Sequence, residues 1–291
     1  MANLKEIRTR ITSVNSTMQI TSAMKMVSAA KLKRAQNAVV QMRPYAEKLQ
    51  EILSNVSSSI DTADNPFVKI REEKNILLVA LTSNRGLCGG FNNNVIKKTK
   101  TLVREYGESS ITVLPVGKKA NDAFKNSSYL AKDNLPQNSA SLWDDLNFEN
   151  VNSLTEELMS SYENGDFDKI IVVYNSFKNA AVQIIKAEQL LPIVKADSVS
   201  ENTDNTDYIF EPSQEEIIVD LIPNSLKVTF YKAMLDSLAS EHGARMTAMH
   251  KATDNASELI KELKLTYNKA RQAAITNEIL EIVGGAEALN G

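Results

Sequence analysis

The sequence predicts an α/β protein built as a long antiparallel coiled coil of N- and C-terminal helices plus a central Rossmann-like α/β domain. Three observations carry that prediction. Apolar residues recur at alternating steps of three and four along both ends of the 291-residue chain, the spacing that keeps a seam facing a partner helix. Short β-branched runs alternate with helical patterns through the middle, which implies a largely parallel sheet covered on both faces. No apolar run approaches the roughly 18 residues of a membrane span. The predicted parts are 1–60, 61–212 and 213–291.

In the N-terminal helix the apolar positions run Leu4, Ile7, Ile11, Val14 and Met18. A second set runs Leu32, Ala35, Val39, Met42, Ala46, Leu49, Leu53, Val56 and Ile60. Between the two sets the register is expected to slip around Thr21, Met24 and Val27, changing the supercoil. Pro44 is expected to bend the helix or leave a gap in its hydrogen bonds. "DTADNP" (61–66) is expected to end it.

In the middle, "NILLVALTS" (75–83) and "SITVLPVG" (110–117) read as buried strands. "DKIIVVYNSF" (168–177) and "AAVQIIKAEQLLPI" (180–193) read as a hairpin through Lys178 and Asn179. Helical patterns lie at 91–106, 117–126 and 151–164, and "DSVSENTDNTD" (197–207) reads as a polar, acidic loop. After Pro223 no proline follows, and Gly243 is the only glycine before Gly284. Tyr231, Leu235, Leu238, Met249, Thr253, Ala256, Ile260, Leu263, Tyr267, Ala270 and Ala274 mark one helix of roughly 60 residues, far beyond the usual globular length. A lone helix of that length cannot bury its seam, so the N-terminal helix is its expected partner.

Composition narrows the function. Hydrophobic residues are 43% and charged residues 24%, ordinary for a globular chain. The net charge of −3 hides an asymmetry: residues 1–50 hold nine Lys/Arg against Glu6 and Glu47, while residues 225–291 hold eight of each sign. The basic arm calls for an acidic partner or a solvated face. No aromatic residues interleave with its charges, which argues against a single-stranded nucleic acid. Cys88 is the only cysteine, so no intrachain disulfide forms, as in a reducing compartment. His242 and His250 are too far apart for a helical metal pair and read as ordinary helix residues. No His/Asp/Ser set or paired Glu-x-x-His appears, which argues against an enzyme. Glu188, Glu211, Glu215 and Glu216 read as surface acids. The first residues lack the apolar core of a secretory signal.

"LTSNRGLCGGFNNN" (81–94) is a glycine-rich turn between a strand and a helix. It lacks the P-loop spacing and the Gly-x-Gly-x-x-Gly pattern, and no acidic residue takes the ribose-binding position. It reads as a tight turn in which Gly86, Gly89 and Gly90 permit positive φ. Arg85 would brace it, and Cys88 would be a small buried residue. An anion at the helix N-terminus is the alternative.

"SNRGLCGGFN" resembles the signature loop of the gamma-subunit family of F-type ATP synthases. "IRTRITSVNSTMQITSAMKMVSAAKLKRAQ", "RPYAE" (43–47), "DYIFEP" (207–212), "ASEHGARMTAMHKATDNA" (239–256) and "LTYNKARQAAITNEILEIVGGAEAL" (265–289) are similar to that family in the same order. Asn84 stands where the family usually has Asp, and Phe210 where it often has Tyr.

The resemblance implies a non-catalytic subunit with no cofactor. Its terminal helices form an asymmetric shaft that turns inside three alpha and three beta subunits (3:3:1). Its α/β domain forms a foot with the epsilon subunit on the c-ring, and it meets the membrane only through that ring. It implies that Met24 is the methionine of the rotor–beta contact and that Lys25, Lys31, Lys33 and Arg34 meet an acidic lever loop of beta. Arg245, Arg271, Gln272 and Thr276 match positions that bond to beta or support coupling. Glu281, Ile282 and Val283 match a hydrophobic bearing. Tyr208, Phe210 and Glu211 match the segment that meets epsilon and the c-ring. Because the family helix begins at once after Met1, a bacterial protein at the cytoplasmic face of the inner membrane is expected. Two other readings stay open: a nucleotide-binding enzyme with helical extensions, and a coiled-coil scaffold unconnected with ATP synthesis.

Overall fold

The structure, a computed structural model, describes residues 4–57, 66–69, 71–107, 111–131, 135–136, 139–193 and 214–290. The elements are α1 (Leu4–Ser57), β1 (Ile76–Leu81), α2 (Phe91–Tyr106), β2 (Ile111–Val116), α3 (Lys118–Phe124), a 3-10 turn (Ser139–Trp143), α4 (Phe148–Glu163), β3 (Lys169–Phe177), β4 (Gln183–Leu191) and α5 (Gln214–Asn290). They fall into two compact units. One comprises Met1–Ser28 with Arg245–Gly291, the other Ala29–Ala244.

The larger unit is the α/β domain. Its sheet has the order β2-β1-β3-β4. β1 lies parallel to both neighbours, and β4 is antiparallel to β3. Side chains alternate along a strand, so "ILLVAL" of β1 feeds two cores. Leu77, Val79 and Leu81 face one side, while Ile76, Leu78 and Ala80 face the other. The first side is covered by Val151, Leu154, Leu158 and Tyr162 of α4 and by Ile222, Leu226, Phe230 and Met234 of α5. The second is covered by Val95, Leu102 and Val103 of α2 and by Ala120 and Phe124 of α3. Burial on both faces is why β1 is a continuous apolar run. Each such side chain contributes about 1.5–3 kcal/mol.

Several boundaries move from their expected places. The hairpin turn is wider than Lys178-Asn179: Asn179 Oδ1 accepts from the amides of Ala181 and Val182 at 3.0 and 2.8 Å, an Asx turn. Helix α4 starts at Phe148 rather than 151, because the Asn147 side chain caps it by accepting from the Asn150 amide at 2.8 Å. Helix α5 has 77 residues, starts before Pro223 and runs through it. Pro223 removes the helical donor to the Val219 carbonyl. Buried Ile222 and Leu226 on either side offset that loss. Pro44 likewise lies inside α1.

The smaller unit is the paired chain ends. Along α1 the series Leu4, Ile7, Ile11, Val14, Met18, Thr21, Lys25 and Ser28 is buried or half-buried, with Ser22 and Met24 half-buried beside it. Those steps alternate between three and four without a break, so the expected slip around Thr21, Met24 and Val27 does not occur. Its place is taken by seam positions filled with polar residues, which an apolar pattern reads as a gap. Opposite them, Met249, Thr253, Ala256, Ile260, Leu263, Tyr267, Ala270 and Ala274 of α5 are buried or half-buried. Thr21 Oγ1 lies 2.9 Å from Thr253 Oγ1, and Lys25 Nζ lies 3.4 Å from His250 Nδ1. Rising numbers on α1 meet falling numbers on α5, so the pairing is antiparallel. From Ile275 to Glu287 every residue of α5 is exposed.

The expected helix end at 61–66 lies, apart from Pro66, outside the described residues. So do the loop 197–207 and Tyr208, Phe210 and Glu211.

Candidate functional site

The glycine loop follows β1 at the carboxyl edge of the sheet, where open α/β sheets place their ligands. Here its polar groups bond to each other. Asn92 Oδ1 accepts from the Ser83 amide at 2.9 Å, and Asn92 Nδ2 donates to Ser83 Oγ at 2.9 Å and lies 3.1 Å from Cys88 Sγ. Ser83 Oγ donates to the Arg85 carbonyl at 2.5 Å. Arg85 thus braces the loop through its main chain, and its side chain is exposed. Cys88 is 2% exposed and packs with Phe91 and with Ala244 of α5, the small buried residue expected. Of the three glycines only Gly89 has positive φ, at 58°. The other left-handed residue is Leu87, at 61°. Gly90 caps α2 with φ −79°, so Gly86 and Gly90 do not serve the role expected of them.

The front of the loop has a task that the sequence reading missed. Helix α3 begins after Gly117 with no side-chain cap of its own. Its first amides are held by three consecutive residues after β1. Lys118 N donates to Asn84 Oδ1 at 3.0 Å, Lys119 N to the Ser83 carbonyl at 3.2 Å, and Ala120 N to Thr82 Oγ1 at 2.8 Å. These are the orphan donors of a helix start, satisfied from a different element. The available signal was the run Thr-Ser-Asn, all capping types, beside a helix that begins at glycine.

Asn84 also donates from Nδ2 to the Ala140 carbonyl at 2.7 Å. It therefore uses both ends of its amide. The Asn84→Asp change tests this. A carboxylate gains about 0.3–1 kcal/mol at a helix start but cannot donate to Ala140, and leaving that part-buried carbonyl unpaired costs about 1–3 kcal/mol. The second term wins, so the variant is expected to be about 1 kcal/mol less stable, read by thermal unfolding. Around Asn84 a cavity of about 300 Å³ is lined by Pro115, Gly117, Lys118, Asn121, Ser139 and Ala140. Its lining includes Lys118 and Ser139 and no acid, histidine or thiol.

On the paired ends, Met24 is half-buried beside the seam. Ile20 and Val27, four and three residues away, are 60% and 58% exposed. The three form one apolar stripe on the flank of α1. Sequence reasoning had missed Ile20 and had placed Met24 and Val27 at a seam fault. Lys25 is half-buried next to His250. Lys31, Lys33 and Arg34 are exposed on α1 in the α/β unit. Arg245 is buried, at 7% exposed. Arg271, Gln272, Thr276, Glu281, Ile282 and Val283 are exposed on the far turns of α5. Thr276 Oγ1 donates to the Gln272 carbonyl at 2.9 Å.

Among the described residues no three His, Cys, Asp or Glu side chains are grouped to hold a metal. No helix among them is long and apolar enough to cross a membrane. The described residues expose the apolar stripe of Ile20 and Val27, the cations Lys31, Lys33 and Arg34, and the end of α5.

Residues 3–289 match the sequence profile of the ATP synthase family. The chain is 59% identical over 294 residues to the ATP synthase gamma chain of Flavobacterium psychrophilum, covering 100% of both chains. It is 58% identical over 293 residues to that of Christiangramia forsetii, again covering 100% of both. Among solved structures it is similar to a chain of the Tetrahymena thermophila mitochondrial ATP synthase central stalk and c-ring, with TM-score 0.57 and 25% identity over 80% of this chain and 99% of that one. A chain of the Euglena gracilis mitochondrial ATP synthase rotor shares the fold, with TM-score 0.65 and 23% identity over 94% and 98% of the two.

Proposed function

The chain belongs to the ATP synthase gamma-chain family, and we propose that it is the central rotor shaft of an F-type ATP synthase. It carries torque between a proton-driven c-ring and an alpha/beta catalytic head, so that proton flow drives ATP synthesis. The observation that carries this reading is the antiparallel pairing of the two chain ends, held by the Thr21–Thr253 contact. The full-length likeness to gamma chains supports it. Two helices that share a seam resist twist better than one. Unlike faces of the pair would meet three chemically equivalent beta subunits and favour a different conformer in each. Equal contact with all conformers would shift nothing.

The partners on this reading are three alpha and three beta subunits per chain, the epsilon subunit and the c-ring. The stripe of Ile20, Met24 and Val27 is a sliding contact with beta. Lys25, Lys31, Lys33 and Arg34 face an acidic loop of beta, and Arg271, Gln272 and Thr276 contact beta further along. Arg245 supports coupling from within, Glu281, Ile282 and Val283 turn in a hydrophobic bearing, and Tyr208, Phe210 and Glu211 meet epsilon and the c-ring. The chain is a subunit of the enzyme with no active site of its own. It sits peripherally at the cytoplasmic face of a bacterial inner membrane.

Mixing the purified chain with separately purified alpha and beta subunits tests this. One copy in a 3:3:1 complex, with ATPase activity only after mixing, is the expected result. ATP hydrolysis by the chain alone overturns the non-catalytic assignment. A folded chain that forms no complex leaves a scaffold as the better reading.

A further inference from the structure

In the smaller unit two charged groups meet one nitrogen of His250. Its Nδ1 lies 3.4 Å from Nζ of Lys25 on α1 and 3.3 Å from Oδ2 of Asp254, one turn further along α5. An ammonium can only donate, and an ionised carboxylate can only accept. Nδ1 therefore serves Lys25 as a bare lone pair and Asp254 as an N–H. It cannot be both at once, so the protonation of the ring selects the partner. With the proton of the neutral ring on Nε2, Nδ1 accepts from Lys25. In the imidazolium both nitrogens donate, so Nδ1 turns to Asp254 and repels the ammonium.

The backbones around this contact are held in place. Thr21 and Thr253, one turn away on their helices, stand Oγ1 to Oγ1 at 2.9 Å, and Met249 beside His250 is buried. The His250 and Asp254 side chains are 56% and 62% exposed, so the side chains can exchange partners while the seam stays closed. Among the described residues, Lys25 and Asp254 are the charged groups in contact with the ring. Lys251 next to it and Glu258 one turn beyond Asp254 are exposed and of opposite sign. Between Arg10 and Lys31, α1 carries a single charged residue, Lys25. Its ammonium is thus the one charge that this stretch of α1 presents beside the stripe of Ile20, Met24 and Val27.

We propose that His250 is a positioning residue for Lys25, holding its ammonium against α5 when the ring is neutral and releasing it to an acidic partner when the ring is protonated. Imidazole is the side chain that changes charge between about pH 5 and 8, so the release follows mild acidification. This rests on the rotor reading above, in which the acidic partner is the loop of beta. Acidification then strengthens the hold of this face on beta. The pair is partly exposed, so the effect is modest and screened by salt.

Two measurements test this. The chain has two histidines, and His242 is buried, so nitrogen-15 NMR of the full chain can follow the exposed His250 ring by itself. At about pH 8 the native ring is expected to carry its proton on Nε2, and Lys25→Met is expected to shift the balance about threefold toward the Nδ1–H form. The second measurement is the ATPase activity restored by adding the chain to alpha and beta subunits at low salt. From about pH 8 to about pH 6, the half-saturating concentration of the native chain is expected to fall about threefold more than that of His250→Asn or Lys25→Met. High salt is expected to erase the difference. A ring whose tautomer ignores Lys25→Met overturns the proposal, and so does a native chain whose assembly follows pH no more steeply than that of His250→Asn. Failure of the unsubstituted chain to assemble overturns the rotor reading and the beta end of this inference, while the NMR result still decides whether the ring holds Lys25.

Discussion

Replacing Gly117 by alanine is expected to lower the melting temperature of the chain by about 10 °C, corresponding to a loss on the order of 4 kcal/mol. Gly117 has φ +119°, and a Cβ built there would lie 2.0 Å from the Thr82 carbonyl oxygen and 2.9 Å from Thr82 Oγ1. Neither side can give way. The Thr82 amide donates to the Val116 carbonyl at 2.9 Å, closing the end of the β1–β2 ladder, and Thr82 Oγ1 caps α3 through the Ala120 amide. A shift large enough to admit a methyl group breaks the cap. It also lifts Ala120 and Phe124, both fully buried, off the sheet. Two other glycines set the scale. Gly86→Ala meets nothing closer than Lys119 Cε at 4.0 Å and is expected to be nearly neutral. Gly89→Ala has open space at φ +58° and is expected to cost about 1–2 kcal/mol from backbone conformation alone. If Gly117→Ala unfolds with Gly86→Ala, the capping account of this junction is wrong.

Met24→Lys is expected to uncouple the assembled synthase, with proton pumping per ATP falling about fivefold or more while the chain folds normally. Lysine is as good a helix former as methionine. Met24 lies beside the seam, and Thr21, Lys25 and Ser28 hold the seam itself. Stability should therefore change by less than about 0.5 kcal/mol, as at other surface positions. The effect belongs to the stripe shared with Ile20 and Val27. On the proposed rotor reading, a strongly hydrated ammonium in the middle of that apolar contact must be stripped of water or must hold its partner off. Both alter the balance between conformers of the partner. Measuring hydrolysis and pumping together separates the possibilities. Parallel loss of the two would point to failed assembly, and an unchanged ratio would remove Met24 from the coupling contact.

The helix positions were legible because their signal is local. Steps of three and four through Leu4, Ile7, Ile11, Val14 and Met18, and through Ala256, Ile260, Leu263, Tyr267 and Ala270, mark faces that must find cover. Those faces are the buried or half-buried ones. The β1 run was legible for the same reason, since six consecutive apolar residues demand burial on both sides. The seam between Met18 and Leu32 was misread because apolarity is only a proxy for burial. Thr21 can sit in a seam once Thr253 stands opposite, and that partner is 232 residues away. The same distance hid the task of Thr82, Ser83 and Asn84, which cap a helix that starts more than thirty residues later.

By itself the sequence determined the long terminal helices, their heptad faces, the strand-and-helix alternation between them and the motifs that mark the family. These depend on residues within a turn or two of one another, or on strings of letters read directly. Only the tertiary structure decided that Ile222, Leu226, Phe230 and Met234 at the start of α5 are core residues of the sheet domain. It alone showed that Met24 is half-buried beside the exposed Ile20 and Val27. A long helix carries more than one apolar face, and a single sequence states which residues need cover but not which element supplies it. Cover is assigned by pairings between distant segments, and those exist only in the folded chain.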